Sequence, residues 1–524
     1  MFRKKAIASA LLLGLAFALP AQAQSVLRVK GDGDIKQLDA LFTTAYPTRD
    51  MAYLIFDTLF SVDANYKAQP QMVDKWSVSD DRKTYTFTLR PGLKFHDGAP
   101  VTSADAIASI DRWLQRDSLG AEIAKRRDAL TEVDASTFKL ALKEPFDRVI
   151  EGFGRMTAYP LFVMPARLAK TPPTEEIREF VGSGPFKLAA SEWVPGVQLV
   201  LTKNADYVPR SDAPSALAGG KIPKVDRIER ITFRDDMSAV NALLAGELDY
   251  VSAVPPELLP VLQADPDIQW AKAPVLGKNF QVIINHTQPP FNDVRMRQAI
   301  QYLVNQQDMM TAIFGARKDL YEICGALFMC GGPYATDIGS ERFLNPSVDK
   351  AKELIKAAGY DGTPIVYLHP MDGKIQRDGG TILVAAMRKA GLVVEDVQMD
   401  TATMFTRRTN KGTPKEGGWN VFMTGFAGDA LMDPLTNPFM TGACEKAWIG
   451  WPCDTEMQKL WQDFLLAGND AQRREIAVKL QAKANEIVTY IPIGQYNDIS
   501  AWRKNVSGMV PGPILTLWNV QKTR

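Results

Sequence analysis

The sequence predicts an α/β protein of two or three domains, and three observations carry that expectation. A chain of roughly 500 residues after export is too long for one hydrophobic core. Period-two strand patterns and turn signals fill its first half, while strands and amphipathic helices alternate through its second. An apolar fraction of 46% suits a packed globular chain rather than a disordered one.

Arg3, Lys4 and Lys5 form a basic head, Ala6 to Leu19 an apolar stretch, and Ala21-Gln22-Ala23 an A-x-A site ahead of Gln24. This pattern predicts an export leader over residues 1–23, cleaved after Ala23, and hence an exported, periplasmic protein. The apolar run is too short to span a bilayer, and no later segment reaches about eighteen apolar residues. The first cysteine is Cys324, so nothing at the cleavage site could take a lipid anchor. Cleavage removes three of the 61 basic residues and none of the 60 acidic ones, leaving 58 against 60. A surface so close to neutrality excludes nucleic acid and anionic membrane as partners.

Between Trp76 and Asp105, Tyr85, Phe87 and Leu89 alternate with Thr84, Thr86, Thr88 and Arg90, which gives a strand with one apolar and one wet face. Pro91-Gly92 and Asp97-Gly98 are turns. Thr102 and Asp105 then stand three apart as a capping pair ahead of Ile107, Ile110 and Leu114. Gly182-Ser183-Gly184-Pro185-Phe186 is a tight turn, with no Lys-Ser/Thr pair after it to hold a phosphate. Asp236 is placed to cap a helix whose Val240, Leu243 and Leu244 share a face and which Gly246 ends.

In the second half, Val282-Ile283-Ile284-Asn285 reads as an apolar strand. Asp349 to Tyr360 places Ala351, Leu354, Ile355 and Ala358 on one helical face and stops at Gly359. A helix carrying Met387 ends at Ala390-Gly391 before a β-branched strand, and Val421 to Gly425 is a buried strand. Ile476, Ala477, Leu480 and Ile487 make a helix ahead of the strand Ile491 to Gln495. The cysteines form two local pairs, Cys324 with Cys330 and Cys444 with Cys453. In an oxidising compartment short spacing favours two small disulfide loops over crossed pairing. A metal site is disfavoured, because the spacings are not C-x-x-C and His96, His286 and His369 lie elsewhere. There is no HExxH, GxSxG, Walker lysine or GxGxxG, so the acid-base apparatus of an enzyme is thin.

Several of these segments together resemble the extracytoplasmic solute-binding proteins of family 5, the substrate-binding proteins of peptide and nickel-type ABC importers. WSVSDDRKTYTFTLRPGLKFHDGAPVTSAD is very similar to the family's long signature, and GSGPF, ALLAGELDY, VRMRQAIQYLVN and DKAKELIKAAGY resemble further family segments in order. The resemblance implies a two-lobed periplasmic-binding-protein fold with an extra subdomain in the first lobe. Lobe I is expected over 24–284, with the subdomain at about 60–183, lobe II over 285–488 and a return to lobe I over 489–524. The crossings are expected near Asn285 and Pro492. Lobes joined in this way enclose a hinged cleft. The implied activity is that of a monomeric receptor, not an enzyme and without a cofactor, which passes a small solute to an inner-membrane ABC permease. The expected solute is a di- or oligopeptide; an opine, glutathione-like compound, sugar or metal chelate is the alternative.

In dipeptide-binding members an Asp in a "GD..DP" segment holds the ligand's ammonium. Gly428-Asp429-Ala430-Leu431-Met432-Asp433-Pro434 resembles it with one residue more between the acids, so Asp429 is expected to anchor a ligand cation. The carboxylate partner is expected among Lys374 and Arg377, read as loop residues ahead of the Met387 helix, and Arg407 or Arg408. Thr43 and Tyr46 are read in a loop before a helix Tyr53 to Leu59, where relatives contact ligand. Phe426 adjoins Asp429, and Trp448 and Trp451 accompany the second cysteine pair, as an aromatic wall suited to amphipathic ligands. The WIGWPCD segment departs from the dipeptide pattern and is read as the mark of a subgroup with a different solute.

Overall fold

The computed structural model describes residues 24–31, 33, 35–272, 277–512 and 514–523, so the leader expected over 1–23 lies outside the described residues. Among the described residues no helix is long and apolar enough to cross a membrane. Two mixed sheets organise the chain. The first has seven strands in the order Phe186–Leu188, Gln198–Lys203, Arg227–Ile231, Val26–Lys30, Tyr250–Val254, Ile499–Arg503 and Ile268–Lys272. Val26–Lys30 alternates, burying Leu27 and Val29, and runs parallel to both its neighbours. The second has six strands in the order Tyr321–Glu322, Ile491–Tyr496, Lys278–Ile284, Val421–Ala427, Ile365–Pro370 and Val394–Met399.

The chain therefore leaves the first sheet after Lys272, joins the second at Lys278, and returns between Tyr496 and Ile499. The crossings expected near Asn285 and Pro492 lie elsewhere than the sequence reading placed them. Val282, Ile283 and Ile284 are fully buried and pair with Met423, Phe422 and Val421, so the apolar run marks a central strand of the second sheet and not its edge.

A third sheet, antiparallel, runs Val73–Val78, Thr84–Leu89, Thr137–Leu142 and Arg127–Glu132. Tyr85, Phe87 and Leu89 point inward as their alternation requires, and Phe87 lies 5.1 Å from Phe138 and 5.5 Å from Phe153, centroid to centroid. Thr102 and Asp105 form the expected reciprocal cap, the Thr102 N–H donating to the Asp105 carboxylate at 2.9 Å, and the helix Ser103–Trp113 follows. In its last turn Arg112 grips Asp39 through two guanidinium N–H groups at 2.7 and 3.1 Å, with both side chains 1% exposed. That bidentate pair ties the helix of the third sheet to the loop after the first strand. The helix expected from Asp236 is present as Asp236–Leu244, but its cap is Asp235, whose carboxylate accepts from Ser238 N–H at 2.8 Å.

Two of the family-like segments dock on one another. The His96 backbone N–H donates to Gly182 O at 2.8 Å, its Nδ1 accepts from Gly182 N–H at 3.2 Å, and its Nε2 lies 3.2 Å from Gly184 O. An accepting Nδ1 leaves the proton on Nε2, so the ring is neutral. A Cβ at Gly182 would collide with the Ile55 carbonyl oxygen, which is why the turn needs glycine there.

Burial pushes His96 down to about 4, and burial followed by the nearby Arg297 charge pushes His286 down to about 3. An unfolded histidine takes its proton near 6.5, so below that pH the unfolded state binds more protons than the folded one. Stability should hold above about pH 6.5 and fall toward the folded values, by roughly 1.4 kcal/mol per pH unit for each histidine. Urea unfolding between pH 7.5 and 5 checks this, and His96→Gln should show a shallower dependence than wild type.

Candidate ligand-binding site

The second sheet's strand Val421–Ala427 is buried through Thr424 and opens at Gly425, Phe426 and Ala427. Gly425 is required there, because a Cβ would stand 2.6 Å from the Phe280 ring. The short helix Gly428–Leu431 follows and carries Asp429 to the helix Tyr46–Ile55, which belongs to the other side of the molecule. There Arg49 Nη1 donates to Asp429 Oδ2 at 2.9 Å, with the two side chains 3% and 5% exposed. Arg49 Nε donates to Asp50 at 2.9 Å, and the guanidinium sits 4.6 Å over the Tyr46 ring. A hydrogen bond joins Tyr46 to the Ala427 backbone.

Burial acting alone would push the Arg49 guanidinium down; Asp50 and then Asp429 outweigh it and hold the group above its ordinary value. Burial, followed by the Asp429 charge, pushes the Tyr46 phenol up, so it stays neutral. The same two sides meet again where Ser118 Oγ lies 3.4 Å from Leu435 O, and where Arg148 Nη2 donates to Phe464 O at 3.2 Å with its guanidinium 4.8 Å over the Phe464 ring.

Beyond Asp429 the seam is aromatic. Trp448 lies 5.6 Å from Phe426, 4.8 Å from Phe439 and 6.5 Å from Phe422. Arg408 stacks 5.3 Å over Trp448 and 4.4 Å over Phe405. Its buried Nε has no hydrogen-bond partner, and among the described residues no acid pairs with it. Burial pushes this guanidinium down. The loop bearing Trp448 is closed at its base, where Ala443 and Cys453 form a β-bridge and the sulfurs of Cys444 and Cys453 come to bonding distance. Cys324 and Cys330 are likewise paired. Trp451 turns the other way, buried and 5.8 Å from Trp419, and is core.

Several expected site residues are placed differently from their sequence reading. Asp429, expected to hold a ligand cation, holds Arg49. Tyr46 is not in a loop but begins the helix Tyr46–Ile55, with Pro47 fixing the first turn; no helix runs from Tyr53 to Leu59. Thr43 is half-buried and its hydroxyl accepts from Ala45 N–H at 3.2 Å, ahead of that helix. Lys374 and Arg377 sit in the first turn of the helix Lys374–Lys389 and share one acid, Asp378, at 2.9 and 3.0 Å. Gly380 lets that helix lie against His369, whose Nε2 would stand 2.6 Å from a Cβ. Arg407 is committed to Gly417 O at 2.9 Å. The sequence reading missed Arg49 altogether. Its signal was a basic residue leading the apolar run Met51 to Phe56, since a charge on the buried side of a helix requires a partner.

Among the described residues no group of three or more His, Cys, Asp or Glu side chains is arranged to hold a metal ion. Two surface hollows of about 370 and 270 Å³, one lined by Asp463, Gln472 and Glu475 and the other by Glu122, Lys125 and Glu144, include neither the Arg49–Asp429 pair nor the aromatic residues around Trp448. The charge and aromatic arrangement points to the seam, not to either hollow, as the candidate site.

Residues 67–448 match the model of the bacterial extracellular solute-binding proteins, family 5. The chain is 33% identical over 537 residues to a "probable peptide ABC transporter periplasmic-binding protein" of Sinorhizobium fredii, with 99% of each chain covered. It is 26% identical over 521 residues to the glutathione-binding protein of Salmonella typhi, covering 95% of this chain and 94% of that one. Among solved structures, a binding protein of A. tumefaciens R10 in complex with agropinic acid superposes with a TM-score of 0.77 at 22% identity, covering 95% of this chain and 99% of that one. The dipeptide-binding protein of Pseudoalteromonas sp. SM9913 in complex with Met-Leu gives 0.77 at 18%, covering 95% and 100%. These matches establish the two-lobed fold.

The bridge joins helices on different lobes, so its loss can be relieved by separating them, which rehydrates Arg49 without unfolding either sheet. Asp429→Ala should therefore enlarge the radius of gyration of the ligand-free protein in small-angle X-ray scattering while its urea midpoint moves little. An unchanged radius would show the two sides to be one rigid body. Replacing Cys444 and Cys453 together by alanine should lower the free energy of unfolding by about 2 to 3 kcal/mol, from the unfolded-state entropy of so short a loop. Non-reducing peptide mapping checks the pairing, and crossed links to Cys324 or Cys330 would refute it.

Proposed function

Because the chain belongs to the bacterial extracellular solute-binding proteins, family 5, we propose that it is a periplasmic receptor which captures a small solute between its lobes and delivers it to an inner-membrane ABC permease. The observation that carries this is the family match across residues 67–448, which takes in strands of both large sheets and the segment that bears Asp429. The protein works as a monomer, exported by its leader with cleavage after Ala23, and binds its solute without a catalytic step.

The solute is a di- or oligopeptide or a compound built like one. Support comes from the peptide-transport relative at 33% identity and the glutathione-binding relative at 26%, and from a seam that offers an aromatic wall beside charged groups. Closure around such a ligand desolvates it on both sides, and the aromatic faces take its apolar parts.

A bound ligand at a hundred times its dissociation constant should add about 2.7 kcal/mol of stability. Differential scanning fluorimetry against peptides, glutathione, opines, sugars and metal chelates is the test, with chromatography of the recovered ligand to show that it is unaltered. No shift with any member of the panel would remove the receptor reading, and conversion of a ligand would make the protein an enzyme.

A further inference from the structure

We propose that Arg49 takes the place of a ligand's ammonium at Asp429, so that the site selects peptide-like acids whose amine is acylated, with the ligand's carboxylate held by Arg408. The proposal rests on the receptor reading and specifies its solute. Three observations carry it.

Asp429 follows Phe426 of the aromatic wall by three residues and is the kind of group that attracts a ligand cation, yet its Oδ2 already accepts from Arg49 at 2.9 Å and both groups are almost wholly buried. Arg49 is fixed from two further directions, by Asp50 at 2.9 Å and by the Tyr46 ring at 4.6 Å, so it is a built part of the site rather than a passing surface contact. A second cation brought to Asp429 would meet the Arg49 guanidinium at close range in a dry seam, where like charges repel strongly.

The third observation is the opposite imbalance at the other end of the aromatic wall. Arg408 lies over Trp448 with its Nε buried and unbonded, and no acid pairs with it among the described residues. Lys374 and Arg377 are neutralised by Asp378, and Arg407 is spent on Gly417 O, so of the four expected carboxylate partners Arg408 alone is uncompensated. An unpaired guanidinium has a planar fork to offer a carboxylate, and the pair recovers what burial cost the cation. The seam thus presents a compensated acid at one end and an uncompensated base at the other, which is complementary to an anion and not to a zwitterion.

The test uses the exported chain and three matched probe pools: free dipeptides with apolar side chains, the same dipeptides N-acetylated, and the N-acetylated dipeptide amides. Isothermal titration should show the N-acetylated acids binding at least tenfold more tightly than the free-amine pool, with the amides at least tenfold weaker than the acids. Arg408→Gln should lose that binding by tenfold or more with an unchanged circular dichroism spectrum. Arg49→Ala, by freeing Asp429, should shift the preference toward the free-amine pool; if it does not fold, Arg408→Gln and the amide pool decide. Tighter binding of free amines by wild type, equal binding of acids and amides, or no binding of any pool overturns the proposal. A thermal shift with some other solute would, in those cases, leave the receptor reading intact.

Discussion

The pair that the rest of the structure depends on is Arg49 with Asp429, two charges separated by 380 residues of sequence and joined where the lobes meet. Each comes from an element that belongs to a different sheet, and each is costly to bury by itself. When the lobes part, both regain water; when they close, both lose it and gain each other. A buried ion pair of this kind roughly balances its own desolvation, so it sets the register of closure without locking it. That balance suits a protein whose described strands pass between the two large sheets after Lys272 and again after Tyr496. A seam glued by a large apolar contact would close as firmly and open far less readily.

What the sequence revealed was what is local. The strand Thr84–Leu89 buries every second residue, and Thr102 with Asp105 caps the next helix, because alternation and a three-residue spacing are written within a few positions. The helix Val348–Ala357 buries Ala351 and Ile355 for the same reason. The passages between sheets were misplaced, since Lys278–Ile284 is a buried central strand and nothing in its apolar run says which sheet it joins. Lys374 and Arg377 were read as a loop ahead of the Met387 helix, but that helix already begins at Lys374, and the closeness of His369 accounts for the glycine at 380 within it. The partner of Asp429 was invisible for a more general reason. Pairing between charges on distant segments leaves no periodic trace, and Arg49 shows only as a charge at the edge of an apolar run.

Local chemistry also explains why the aromatic wall is rigid. The Ala443–Cys453 bridge and the Cys444–Cys453 pair fasten both ends of the Trp448 loop, while His286 N–H donates to Gly450 O at 2.9 Å from the second sheet side. Gly450 has a φ of 107°, and a Cβ there would stand 2.9 Å from Ile284 O, so the loop can lie against the strand only with glycine. Trp451 is driven into the core beside Trp419 and Trp448 is left at the seam. One tryptophan anchors the loop and the other packs on Phe426 and Phe439, so the wall is held in place by its own contacts, and in the proposed site that would lower the ordering cost of binding.

Selectivity in such a seam is a difference between affinities, and it comes as much from what the site refuses as from what it holds. A half-buried guanidinium tolerates its unpaired state because arginine is weakly hydrated and can stack on an aromatic face, as Arg408 does on Trp448. A lysine in that position would pay more for the same burial. The cation is therefore held in place, partly desolvated, and in the proposed site an arriving carboxylate would find a donor that needs little rearrangement. At the other end the acid is already satisfied, so a ligand ammonium would have to displace a guanidinium held by Asp50, Asp429 and Tyr46 together. Under the proposed selectivity, attraction at Arg408 and refusal at Asp429 would act on opposite ends of one ligand, the first because that guanidinium has no acid beside it and the second because Arg49 faces the acid across the seam.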